Sequence, residues 1–209
     1  MTRAEIQRKH LVLAALNGLL LAAFSWRFIS LRNYEFLIYV GVIVAAVAAL
    51  FFSYSKIRYG FDTLVGLTVW SALHMAGGGL RVGGERLYEF MLLPMSSTMP
   101  IFRYDQFVHI AGFGVGTLLM HDLLAANFPG IRRPSASSMI VLVMAGLGLG
   151  AFNEIVEFFV SQILQESGVG GYLNTSLDLC ANLIGALLAI AYIRFCRGDS
   201  TESNQLSSS

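Results

Sequence analysis

Residues 36–52 read FLIYVGVIVAAVAALFF, an uncharged apolar run that lies between Glu35 and Lys56. A helix of about 20 apolar residues spans a hydrocarbon core roughly 30 Å thick. Similar runs recur along the chain, and charged residues separate them. The sequence therefore predicts an all-α fold, a polytopic membrane helix bundle with about six transmembrane helices. We expect these helices at 9–28, 35–54, 61–78, 105–126, 138–164 and 174–195.

The overall composition agrees with this prediction. The chain has 209 residues, of which 56% are hydrophobic and 13% are charged. A soluble domain carries about 25% charged residues. The net charge of +1 gives no indication of a nucleic acid partner. We expect residues 1–197 to form a single transmembrane helical domain, and the polar, low-complexity residues 198–209 to form a disordered tail.

The distribution of Lys and Arg predicts that both termini are cytoplasmic. With that orientation, nine of the 14 basic residues lie on the cytoplasmic side. They are Arg3, Arg8, Lys9, Lys56, Arg58, Arg132, Arg133, Arg194 and Arg197. The first apolar run follows Arg8 and Lys9, as in a signal peptide, but the five later runs favour a spanning helix.

Ionisable and amide side chains gather near the predicted outer ends of four helices. They are His74 on the third helix, Asp105 and His109 on the fourth, Asn153, Glu154 and Glu157 on the fifth, and Asp178 and Asn182 on the sixth. The inner halves are poorer in such residues, with His121 and Asp122 as the main exceptions. The sequence thus predicts one polar layer at the depth of the outer leaflet.

These polar residues share helical stripes with small residues. The stripes are His109, Gly112 and Gly116; Gly146, Gly150, Asn153, Glu154 and Glu157; and Asp178, Asn182, Gly185 and Ala189. A spacing of three or four residues places side chains on one helical face. Small residues on such a face let helices pack closely in lipid. We therefore expect the acids and histidines to point into the bundle.

Carboxylates inside a membrane are costly to bury, and this favours a functional role. We expect His109 to act as a general acid or base, with Asp105 orienting its ring and with Glu154 and Glu157 as base and partner. His74 and Asp178 would complete the site. The expected substrate-binding residues are Asn182, Asn153, Arg103 and Arg81.

Two other interpretations of the same residues stay open. His74, His109, Glu154, Glu157 and Asp178 offer nitrogen and oxygen ligands for a divalent metal ion. Alternatively, the polar residues are hydrogen-bonded across helix seams and only stabilise the bundle, and Asp105 is only an N-cap.

Four motifs in this order resemble the YjdF-like inner-membrane family of bacteria, a domain family of unknown function. They are LHMAGG at 73–78, YDQFVH at 104–109, AFNEIVEF at 151–158 and NTSLDL at 174–179. The chain departs from the family pattern at Asn174, where Asp is typical, and at Asn153, where an aromatic residue is common. The first departure argues against a catalytic role for position 174.

That family is similar in turn to the VanZ-like membrane proteins, which are associated with glycopeptide resistance. The element Asp178, Asn182 and Gly185 matches their late Asp-x-x-x-Asn-x-x-Gly pattern. The resemblance implies a location in the bacterial inner membrane and an activity on lipid headgroups or lipid-linked phosphates.

The sequence supports functions from different classes. The first is an enzyme that acts on a membrane lipid or a lipid-linked phosphate. The second is a small transporter or proton-coupled permease, since intramembrane acids and histidines also relay protons. The third is a structural or regulatory membrane protein without catalysis. A polar path through the full depth of the membrane would favour transport over catalysis.

Overall fold

The computed structural model describes residues 3–96, 98–164 and 170–197. Six α-helices make up most of this part of the chain. They are α1 (Arg3–Ser30), α2 (Tyr34–Ser53), α3 (Phe61–Gly79), α4 (Tyr104–Asn127), α5 (Ala136–Ile163) and α6 (Tyr172–Tyr192), and α6 continues as a π-helix over Ile193–Arg197. The predicted disordered tail, residues 198–209, lies outside the described residues.

Local capping explains where several helices begin. The side chain of Asn33 accepts a hydrogen bond from the backbone of Phe36 and caps α2, and Ser135 caps α5 in the same way. The cap of α6 is Gly171, so that helix begins two residues earlier than predicted. Asn174 therefore lies inside the first turn, where its side chain donates hydrogen bonds to Asp105 and Asp178.

Five helices are long and apolar enough to cross a membrane: α1 from Arg8, α2, α4, α5, and α6 with its π-helical extension. The expected all-α membrane bundle is thus confirmed. The sixth predicted span, α3, has 19 residues. It is less apolar because it carries polar residues such as Asp62, Thr63 and His74. A total of six spans stays a prediction.

The surface of the bundle is apolar and its interior holds polar side chains. Trp26, Phe51 and Phe52 are each more than 70% exposed, whereas Asp178 and Asn182 are fully buried. A water-soluble protein shows the opposite distribution for large apolar and for charged residues. Lipid chains would cover the apolar surface, and the buried polar groups must find partners within the protein.

The helices approach one another most closely between α4 and α6. A Cβ atom at Gly114 would lie 3.2 Å from the carbonyl oxygen of Gly185, and one at Gly185 would clash with the backbone of Ile110 and Gly114. Gly150 likewise lies against the side chain of Asn182. Gly150 and Gly185 of the predicted stripes thus lie in close seams, whereas the α4 glycine at the contact with α6 is Gly114, which lies outside the predicted stripe.

The segment between α3 and α4 folds over one end of the bundle. It contains a two-stranded antiparallel hairpin, Arg81–Val82 with Glu85–Arg86, and a 3-10 turn over Leu87–Glu89. Gly83 and Gly84 form the hairpin turn with positive φ angles of 61° and 94°, which glycine adopts without strain. We call this side of the molecule the hairpin end.

Candidate functional site

One buried histidine joins three helices at the hairpin end. His109 is 5% exposed and lies near the start of α4. Its Nε2 is 3.6 Å from Oδ1 of Asp105, one turn earlier in the same helix. Its Nδ1 is 3.0 Å from Oδ1 of Asn182 on α6 and 3.8 Å from Oε1 of Glu154 on α5. The imidazole ring is therefore surrounded by oxygen atoms from all three helices.

Two groups of potential metal ligands share this histidine. One group is Asp105, His109 and Asp178, and the other is His109, Glu154 and Glu157. Within each group, one ligand atom per residue lies within 4.8 Å of the others. The structure thus brings His109, Glu154, Glu157 and Asp178 into one cluster, and of these four residues Glu157 lines an adjoining cavity.

Amide side chains hold the carboxylates of the first group. Gln106 donates to Oδ1 of Asp178 at 3.1 Å, and its own oxygen accepts from the backbone of Arg103 at 2.7 Å. Asn174 donates to Oδ2 of Asp178 at 2.5 Å and to Oδ2 of Asp105 at 3.2 Å. Sequence reasoning missed Gln106 and argued against Asn174. The four-residue spacing of Asn174 and Asp178 was the available signal.

The second group is less completely hydrogen-bonded. Asn153 donates to Oε1 of Glu157 at 2.7 Å. This hydrogen bond holds the carboxylate of Glu157 in place. By contrast, Oε1 of Glu154 and Nδ2 of Asn182 are buried without a hydrogen-bond partner in the described part of the chain. A buried polar atom without a partner costs about 1–3 kcal/mol.

A cavity of about 140 Å³ opens beside this cluster at the hairpin end. Asp105 and Glu157 belong both to the cluster and to the cavity wall, so the cavity reaches the histidine site. The remaining charged and hydroxyl groups of the wall come from α2, the hairpin segment and the residue before α4. They are Glu35, Tyr39, Arg86, Tyr88, Glu89 and Arg103.

The arginines occupy different positions around this cavity. Arg86 donates to Oε2 of Glu35 at 3.0 Å, and Nε of Arg103 is buried without a partner among the described residues. Arg81 is exposed in the hairpin and donates to the carbonyl of Gly84 at 2.9 Å. Arg86 and Arg103 line the cavity, whereas Arg81 is not among its lining residues. The sequence analysis did not identify Glu35 as a site residue, because in the sequence it is recognisable only as an acidic residue in the first turn of α2.

His74 lies at the edge of the site rather than inside it. Its Nδ1 is 2.6 Å from the hydroxyl of Tyr88, and its ring packs against those of Phe36, Tyr39 and Trp70. Burial raises the pKa of the Tyr88 hydroxyl well above its usual value, so this hydroxyl is neutral and can donate to His74. His74 belongs to neither group of potential metal ligands.

A second buried polar cluster lies at the opposite end of the bundle. Arg197 donates to Oδ1 of Asp122 and to Oδ1 of Asp62, each at 2.8 Å. Oδ2 of Asp122 also accepts from the hydroxyl of Thr63 at 2.6 Å. These bonds join the end of the π-helical extension to α3 and α4. The sequence marked Asp122 and its neighbour His121 as exceptions, but it did not link them to Arg197.

Residues 12–199 match a family described as "Predicted membrane protein (DUF2238)". The chain belongs to this family. The matched range of the DUF2238 family contains every residue of the histidine site and of the cavity wall. No curated protein and no solved structure matches the chain. The DUF2238 description states a membrane location and assigns no activity.

Proposed function

We propose that this DUF2238 protein is a membrane enzyme that acts on a phosphate-bearing lipid or lipid carrier. The observation that carries the proposal is the arrangement around His109. A single buried imidazole lies among carboxylates from α4, α5 and α6 and beside a cavity that is open at one end of the bundle. General acid–base catalysis uses a positioned imidazole and carboxylates of this kind.

Each residue of the cluster has a proposed role. His109 would transfer the proton, because both of its ring nitrogens face hydrogen-bonding groups. Asp105 and Asn182 would hold the ring in orientation. Glu157 would face the substrate, since it belongs to the cavity wall as well as to the cluster.

The substrate class follows from the surroundings of the cavity. Arg86 and Arg103 supply guanidinium groups, which bind phosphate oxygens through charge-assisted hydrogen bonds. The outer surface of the surrounding helices is apolar, so a lipid could approach from within the leaflet. The resemblance to VanZ-like proteins also supports a lipid headgroup or lipid-linked phosphate as the substrate. The basic-residue distribution supports a site on the outer-leaflet side, and the resemblance supports a location in the bacterial inner membrane.

The opposite cluster around Arg197 is the one observation that favours a proton-coupled transporter. His109 and Asp122 are 13 residues apart on α4, which corresponds to about 20 Å along the helix. The buried residues between them on α4 are Gly112, Phe113, Gly116, Thr117, Leu118 and His121. Among these residues, Thr117 has the polar side chain that lies between His109 and His121. Its hydroxyl donates to the carbonyl of Phe113 in the same helix. Because this section of α4 is mostly apolar, it supports a catalytic site at one end of the bundle rather than a proton relay between the two ends.

The test uses the purified full-length protein in liposomes. The vesicles contain phosphatidic acid, phosphatidylglycerol or a polyprenyl diphosphate, and mass spectrometry of the lipids and release of inorganic phosphate report turnover. We expect turnover of at least one lipid, its loss in His109→Ala and Glu157→Gln, and its retention in Glu85→Gln, which changes an exposed acid of the hairpin. Absence of turnover, together with Glu157-dependent proton flux across the vesicles, would support the transporter instead.

A further inference from the structure

The His109 cluster carries more negative than positive groups. Asp105, Glu154, Glu157 and Asp178 surround one imidazole, whereas Glu35 and Glu89 on the wall of the adjoining cavity are balanced by Arg86 and Arg103. In a low-dielectric interior, like charges a few ångströms apart repel strongly. A further positive charge at the cluster would therefore stabilise it.

Of the two unsatisfied buried atoms next to His109 in the described part of the chain, Oε1 of Glu154 is the one that can bind a cation, because Nδ2 of Asn182 is a hydrogen-bond donor. The side chain of Glu154 is 9% exposed, and its Oε1 is 3.8 Å from Nδ1 of His109. That oxygen has no hydrogen-bond partner among the described residues. It is thus a buried carboxylate oxygen that points toward a nitrogen ligand and lacks a bonded neighbour.

The carboxylates of Asp105 and Asp178, on the other side of His109, do accept hydrogen bonds. Both oxygens of Asp178 and one oxygen of Asp105 accept hydrogen bonds from Gln106 or Asn174. Asp178 is also fully buried, which leaves no room for water or substrate to approach it from the cavity. Of the two groups of potential ligands, the one with Glu154 therefore has the unfilled position.

We propose that His109, Glu154 and Glu157 bind one divalent cation of the Zn²⁺ or Mn²⁺ class. Their potential ligand atoms lie within 4.8 Å of one another, and metal–ligand bonds of about 2.0–2.2 Å place two ligands of one ion within about 4.4 Å of each other. One imidazole nitrogen with two carboxylates suits these ions better than it suits soft, thiolate-binding metals. Glu157 belongs to the cavity wall, so further positions on the ion would be open toward the cavity.

The neighbouring residues fit this assignment. Binding through Nδ1 of His109 requires that this nitrogen release its proton and its contact with Asn182, so in the ion-bound state His109 serves as a ligand and not as the proton-transferring group. Nε2 then keeps its proton and faces Asp105 at 3.6 Å. A carboxylate behind a metal-bound histidine orients the ring and increases its basicity. Asn153 holds Glu157 by the hydrogen bond to Oε1.

A bound cation would also explain how an anionic substrate can bind at a site that is rich in carboxylates. A bound divalent ion offsets the carboxylate charges and can polarise a phosphate oxygen. This consequence rests on the proposed function. The binding site itself rests on the ligand set and on the unpartnered oxygen of Glu154, so it can be tested without any lipid substrate.

The experiment measures metal binding to the purified full-length protein in detergent after treatment with a chelator. Mn²⁺ is titrated and the free ion is followed by electron paramagnetic resonance, and Zn²⁺ content is measured by elemental analysis after equilibrium dialysis. We expect about one ion per chain, and affinity that falls about tenfold or more in Glu154→Gln. Asp178→Asn, the matched change in the other ligand group, and Glu85→Gln should bind within a few-fold of wild type.

Thermal unfolding separates loss of the site from loss of the fold. Added Mn²⁺ should raise the unfolding temperature of the wild-type protein, because the ion binds only the folded state. It should not raise that of Glu154→Gln, which should unfold at or above the wild-type temperature without metal. Wild-type protein that binds no ion, or a Glu154→Gln variant that binds as wild type does, would overturn the proposal. Loss of ion binding in Asp178→Asn but not in Glu154→Gln would also overturn the proposal.

The test of the cation site and the test of the proposed enzyme can fail independently of each other. A protein that binds the ion and turns over no lipid phosphate would overturn the enzyme and support the cation site. A protein that binds no added Mn²⁺ or Zn²⁺ and still turns over lipid phosphate would support the enzyme and overturn the cation site.

Discussion

Nδ1 of His109 on α4 lies 3.0 Å from the side-chain oxygen of Asn182 on α6. Both residues are buried, at 5% and 0% exposure. The contact forms where the α4 and α6 backbones touch at Gly114 and Gly185. Water cannot replace a lost partner in such a place, so this contact determines the orientation of the ring in the ion-free protein.

The first prediction concerns this contact. Asn182→Leu keeps the branched side-chain skeleton, with bulkier methyl groups, and removes the hydrogen-bond acceptor of His109. We expect the free energy of unfolding in detergent to fall by about 1–2 kcal/mol, and any lipid turnover to be lost because the ring is no longer oriented. Thermal unfolding and the turnover assay measure the two effects. Leu187→Ala, on the exposed face of α6, should retain turnover; equal loss in both variants would contradict the role of Asn182.

The second prediction concerns the seam between α4 and α6. Gly185→Val adds atoms that would meet the backbone of Ile110 and Gly114. We expect a loss of about 2–3 kcal/mol, because backbone cannot move aside as a side chain can. Gly148→Ala, on α5 with nothing within 4 Å of the added carbon, should be neutral or up to about 1 kcal/mol more stable. Thermal unfolding compares the two, and an unchanged Gly185→Val would contradict the described seam.

The third prediction concerns the cluster opposite the hairpin end. Arg197→Gln leaves Asp122, whose side chain is 9% exposed, without its guanidinium partner. Loss of one partner from a buried ion pair destabilises by about 3 kcal/mol or more. Arg194→Gln, an exposed neighbour, should change stability by less than about 0.5 kcal/mol. Chemical or thermal unfolding in detergent tests this, and equal effects of the two changes would show that the cluster adds no stability.

The fourth prediction concerns orientation. Reporter fusions or single cysteines at Arg132 and in the tail should be cytoplasmic, and those at Gly84 and Gly170 should be external. The reason is the excess of Lys and Arg on the Arg132 side. In the structure, Gly84 lies in the hairpin and Gly170 lines the cavity, so they report the side of the site. Reversed labelling would place the substrate in the cytoplasmic leaflet and leave the cluster geometry unaffected.

Much of the candidate site could be predicted because its residues follow helical periodicity. The stripe of His109 and its glycines, and the stripe of Asp178 and Asn182, each indicated one buried face. The positions of Gln106 and Glu35 could not be predicted in this way. Gln106 contacts Asp178 across 72 residues, and Glu35 contacts Arg86 only because the hairpin folds over the end of the bundle.

The sequence by itself determined the membrane class, the approximate helices and the polar layer, because the length and spacing of apolar residues express these properties locally. Only the tertiary structure decided which polar groups meet. It placed His74 beside Tyr88 rather than among the potential metal ligands, drew Asn174 into the site, and joined Arg197 to Asp62 across 135 residues. Periodicity identifies the face that a helix buries, but the neighbour of that face depends on the packing of all six helices.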